Sequence, residues 1–124
     1  MLAHPQDDLP HRMPVWQAMT TFFLDTALQD EDFEHIASVC AASPYSLTEL
    51  ERIMFTEVWP AFFPNLLSPA GEWTGWSETF VKEHILKHYR RRIYFSWRRY
   101  SLKRYFCRDY VIVERRIAMR RQET

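Results

Sequence analysis

At 124 residues the chain is long enough for one hydrophobic core and too short for two. Hydrophobic residues at 47% and aromatics at 16% exclude a disordered chain, and only two glycines argue against an all-β fold built on many tight turns. The net charge of zero hides a division, because residues 1–81 hold two bases against twelve acids while residues 82–124 hold fourteen bases against four acids. Either the last helix of a bundle neutralises the earlier ones, or the basic end faces an anionic partner.

Residues 1–13 carry Pro5 and Pro10 without periodicity and read as a flexible lead-in. Pro14 suits the first turn of a helix, and Val15, Trp16, Met19, Phe22 and Phe23 recur on one face, which predicts a helix to about Ala27. Asp30 is placed to cap a second helix, with Glu31, Asp32 and Glu34 near the positive end of its dipole. Its apolar side is Phe33, Ile36, Ala37, Cys40 and Ala41, and it should stop near Ala42 because Pro44 pushes the preceding residue out of helical geometry. Ser46-Leu47-Thr48-Glu49 is a capping box for a third helix with the stripe Leu47, Leu50, Ile53, Met54 and Val58. Pro60 should end or kink that run, leaving residues 59–64 as an irregular stretch on the core.

Both glycines, Gly71 and Gly75, fall in the loop Asn65 to Trp76. Beyond it Ser77 is placed as a cap, and Phe80, Val81, His84, Ile85 and His88 continue at helical spacing. A second stripe, Phe95, Leu102, Phe106, Tyr110, Val113 and Ile117, has the same period. One helix over 78–121 would be about 65 Å long, against a radius of gyration of about 13 Å for a 100-residue domain. It should therefore break near residues 90–96 and fold back, or project. Tyr110-Val111-Ile112-Val113 also permits a short strand. The expected fold class is all-α: a compact bundle of four to five helices, with domain 14–90 followed by a basic aromatic helical extension over 91–124.

The strings Pro14-Val15-Trp16, Phe23-Leu24-Asp25-Thr26, Ala42-Ser43-Pro44-Tyr45-Ser46-Leu47, Glu57-Val58 and Asn65-Leu66-Leu67-Ser68-Pro69-Ala70-Gly71-Glu72-Trp73 resemble an uncharacterised bacterial family of small proteins. The resemblance covers roughly residues 12–88 and implies a small helical domain with no assigned chemistry and no catalytic residues to carry over. The family looks as if it stops soon after the helix containing Ile85, so the resemblance leaves the segment from Tyr89 onward unsupported.

Chemistry-bearing patterns are few. His84-x-x-x-His88 is the one metal-like spacing, with His35, Cys40 or Glu72 as further ligands only if folding brings them in. Its other reading is the polar edge of a packed helix, and neither metal nor cofactor is expected. Cys40 and Cys107 read as reduced, buried small hydrophobes outside any recognisable nucleophile setting, and no Gly-x-Ser-x-Gly occurs, so no catalytic residue is assigned.

The candidate partner site is the loop: Asn65, Ser68, Gly71, Glu72, Trp73 and Trp76 combine backbone freedom, local acceptors and flat apolar surfaces. A purely structural reading, with the tryptophans plugging the core, stays open. The alternative site is anion-binding, through Arg91, Arg92, Trp97, Arg98, Arg99, Lys103 and Arg104, whose mix of guanidinium groups and aromatics suits single-stranded nucleic acid or an anionic surface. The expected function is a non-enzymatic protein-binding domain with an immunity or regulatory role. Nucleic-acid binding is the alternative, and self-association through the C-terminal helix is a further possibility. The N-terminus lacks the features of a signal peptide and no run is long and apolar enough to cross a bilayer, so a cytoplasmic location without a transmembrane segment is expected.

Overall fold

The structure is a computed structural model that describes residues 2–24, 28–62, 76–88 and 96–122, with side chains in the last span from 109 onward. Five α-helices occur among these residues: α1 (Leu9–Met19), α2 (Asp30–Ala42), α3 (Leu47–Ile53), α4 (Glu78–His88) and α5 (Ser96–Gln122). No strand occurs among the described residues, and Tyr110 to Val113 lie inside α5.

The chain orders earlier than an irregular lead-in would. Pro5–Asp7 form a 3-10 turn with Pro5 buried, and α1 then begins at Leu9 with Pro10 in its first turn. Pro14 sits inside the helix on its exposed side, where the lost N–H is best tolerated. Tertiary contacts of Arg12 explain the early start, as described below. After Met19 the helix tightens into a 3-10 turn, Thr20–Phe23, four residues short of the expected end.

Gln29, rather than Asp30, occupies the cap position of α2, and its backbone N–H is held by the Asp32 carboxylate at 2.8 Å. The helix ends at Ala42 as the Pro44 constraint requires. The capping box of α3 is present on both sides, Glu49 N–H to Ser46 Oγ at 3.1 Å and Ser46 N–H to Glu49 Oε1 at 2.9 Å. Ser77 caps α4 through Phe80 N–H at 3.2 Å.

Pro60 acts differently from expectation. The turn before it, Met54–Val58, widens into a π-helix, with Trp59 N–H bonding to the Met54 carbonyl, and residues 59–62 stay helical. A wide turn moves the residue 56 carbonyl out of the ring's way, so the proline is absorbed without ending the helix.

The core joins every helix. Val15, Trp16, Met19 and Phe23 of the first segment meet Ile36 and Cys40 of α2, Leu50 and Ile53 of α3, Val58 and Phe62 beyond it, and Val81 and Ile85 of α4. Tyr110, Val113 and Ile117 complete it from α5. The far half of α5 therefore does not project: it packs along α2. Arg116 reaches Asp30 and Glu34 while Arg121 reaches the carbonyls at the end of α2, so the two helices run in the same direction. No helix among the described residues is long and apolar enough to cross a membrane.

Candidate functional site

Three polar arrangements stand out, and the most buried is one that no motif announced. Arg12, with no exposed surface, places Nε and Nη2 on the two oxygens of Glu57 at 3.0 and 2.8 Å. Its Nη1 donates to Asp8 at 2.8 Å and Nη2 also donates to the Ala3 carbonyl at 2.7 Å. Trp16 Nε1 adds a bond to Glu57 at 2.8 Å, the Tyr45 hydroxyl donates to Asp8, and the Tyr45 ring lies 5.3 Å from the guanidinium carbon. Desolvation works against the Arg12 charge, yet the Glu57 carboxylate more than offsets it and holds the guanidinium protonated. Burial raises the Asp8 carboxyl, but the bonds from Tyr45, His11 and Arg12 outweigh it and leave the group below its ordinary value. The Tyr45 hydroxyl is pushed up to about 12, by burial first and by Asp8 second. With Arg12 enclosed and Glu57 only 1% exposed, this cluster ties α1 to the turn before Pro60.

The second arrangement is the seam between α2 and α5. Arg116 bonds Asp30 at 2.6 Å and Glu34 at 2.8 Å, and Arg120 bonds Glu34 at 2.8 Å. Arg121 gathers the carbonyls of Cys40, Ala41, Ser43 and Tyr45, satisfying acceptors that the end of α2 leaves without helical partners. Cys40, facing this seam from inside, keeps a free thiol that burial pushes up to about 12, with Arg121 pulling weakly the other way.

The third lies on the flank of α4. Phe80 is 43% exposed and stacks on His84 with centroids 4.9 Å apart, and Phe62 approaches Trp76 at 4.7 Å and His84 at 5.2 Å. Phe80 thus sits outward of the core face that its spacing suggested, one step around the helix from Val81 and Ile85. On the other side of α4 a groove of about 310 Å³ is lined by Leu9, Pro10, Met13, Glu78, Thr79 and Lys82. His84 bonds the Ala61 carbonyl at 2.7 Å and His88 bonds the His84 carbonyl at 2.9 Å. Among the described residues no three His, Cys, Asp or Glu side chains gather at a metal-binding distance, so His35 and Cys40 do not join the pair.

Of the loop residues, Trp76 is described: half-buried against the core, with its carbonyl accepting from Gln17 Nε2 at 2.6 Å. Asn65, Ser68, Gly71, Glu72 and Trp73 lie outside the described residues, as do Arg91 and Arg92. Trp97, Arg98, Arg99, Lys103 and Arg104 lie on α5 ahead of the residues whose side chains are described.

A family model described as "Domain of unknown function (DUF7079)" matches residues 10–120. The chain belongs to this family. The match corrects the expectation that family likeness ends soon after Ile85, because most of α5 lies within the DUF7079 domain. No curated protein and no solved structure matches the chain.

Within this DUF7079 chain, sequence reasoning missed the Arg12–Glu57 pair. Two signals bore on it: Arg12 is one of only two Lys or Arg residues in the first 81 positions, and Glu57 is the one charged residue in the largely apolar run Met54 to Trp59. A lone charge in an apolar stretch needs a buried partner.

Proposed function

We propose that this DUF7079 protein is a non-enzymatic protein-binding domain, a bacterial, cytoplasmic protein of the immunity or regulatory kind that recognises its partner through a preformed surface. The surface comprises the segment Asn65 to Trp76 together with the α4 flank at Phe80. One observation carries the reading: a large aromatic, Phe80, stands exposed against Phe62 and His84, with Phe62 in turn against Trp76, the last residue of that segment. Exposed aromatics seated on ordered neighbours are the usual anchors of protein interfaces. Three described arginines of the basic end, Arg116, Arg120 and Arg121, already bond α2 and so are less available to an outside phosphate, which supports this reading, while Arg115 is exposed.

Affinity capture with the full chain tests the proposal. A stoichiometric protein partner retained by wild type and lost with Phe80→Asp and with Glu72→Ala is the expected result. Absence of a partner, or one held equally by both variants, contradicts it. Binding of a single-stranded oligonucleotide that weakens steeply with salt would favour the alternative surface of Arg91, Arg92, Trp97, Arg98, Arg99, Lys103 and Arg104.

A further inference from the structure

His84 and His88 stand one helical turn apart on α4, with ring centroids 4.4 Å from each other. Each ring uses one nitrogen on a backbone carbonyl: His84 Nε2 on Ala61 and His88 Nδ1 on His84. A carbonyl only accepts, so the hydrogen sits on those two nitrogens whenever the rings are neutral. His84 Nδ1 and His88 Nε2 therefore keep their lone pairs. Metal-ligating histidines show this same arrangement, in which the non-ligating N–H is anchored to a carbonyl or carboxylate that fixes tautomer and ring orientation. The His84 ring is further held between Phe80 and Phe62. Both histidines are only half-buried, so an ion can reach them from solvent.

We propose that His84 and His88 form an open two-imidazole site for a borderline divalent transition metal such as Cu²⁺ or Zn²⁺. Neutral imidazole selects these ions over Mg²⁺ and Ca²⁺, which want oxygen ligands. Two protein ligands leave the remaining coordination positions to water or to a group supplied by another molecule. The site does not depend on the protein-binding proposal.

The test uses tag-free full chain stripped of metal by chelation, titrated with Zn²⁺ by calorimetry and with Cu²⁺ under electron paramagnetic resonance, near neutral pH. The expected result is one ion per chain, a Cu²⁺ spectrum with splitting from two imidazole nitrogens, and a loss of affinity of at least about tenfold in His88→Gln. His88 bonds only its own helix, so this variant should keep the wild-type circular dichroism spectrum. A His4→Gln/His11→Gln/His35→Gln variant should keep both the affinity and the splitting. Unchanged affinity in His88→Gln, loss of binding in the triple variant, or binding only at millimolar metal would overturn the proposal.

Discussion

Arginine does two different jobs at the two ends of this molecule. Arg12 is wholly enclosed and bonds Glu57 through a two-point contact, whereas Arg116 and Arg120 lie along a half-open seam against Asp30 and Glu34. Nominally these are the same ion pair. The surroundings decide its worth: removing one partner of a buried pair leaves an uncompensated charge in a low-dielectric interior, while a solvated pair is screened and replaceable by water. The buried pair ties the first helix to the π-helical turn. The seam sets two arginines of the basic α5 against Asp30 and Glu34 of the acidic α2 and so offsets part of the charge division within one fold.

The largest effect should come from breaking the enclosed pair on one side. Glu57→Ala should cost about 3–5 kcal/mol in denaturant unfolding, whereas Arg12→Met with Glu57→Leu should recover only part of that loss, because Asp8, the Ala3 carbonyl and Trp16 Nε1 also lose a partner. If the double variant is no more stable than the single one, the stranded charge is not the cause. Next comes Arg121→Ala, which strips the donors from the carbonyls ending α2 and should cost about 1.5–3 kcal/mol. Ser46→Ala should cost about 1 kcal/mol through loss of the α3 cap. Charge-neutralising changes at Arg116 should have the smallest effect and should vanish in high salt.

Acid should discriminate the two ends as well. Asp8 titrates below its ordinary value in the folded protein, so its contribution is present above the unfolded value of 3.8 and is lost as pH falls through the folded one. Wild type should therefore exceed Asp8→Asn in stability at neutral pH, with the gap closing only below about pH 4. Cys40 should resist alkylation in the native state under mildly basic conditions and react once unfolded, as peptide mapping would show.

Local signals were legible in the sequence because their partners are local. The Ser46–Glu49 box, the Ser77 cap, the end of α2 before Pro44 and the buried stripes of α1 to α3 all involve residues within a turn or two of one another. The Arg12–Glu57 contact spans 45 residues and has no period to reveal it. The π turn was hidden because one extra residue per turn leaves the apolar pattern of Ile53, Met54 and Val58 intact, and only Pro60 hinted at it. Composition alone could not choose between a docked and a projecting α5, since arginines suit an acidic helix of the same chain as well as an outside partner. In the candidate site, the spacing of His84 and His88 was visible, but the carbonyls that set their tautomers come from folding.

That the basic end belongs to the folded domain is open to direct measurement by native-state hydrogen exchange. Amides of residues 110–120 should be protected to the same degree as those of residues 36–40, and Ile117→Asp should release both sets of amides together. Rapid exchange across residues 110–120 while α2 stays protected would contradict the account.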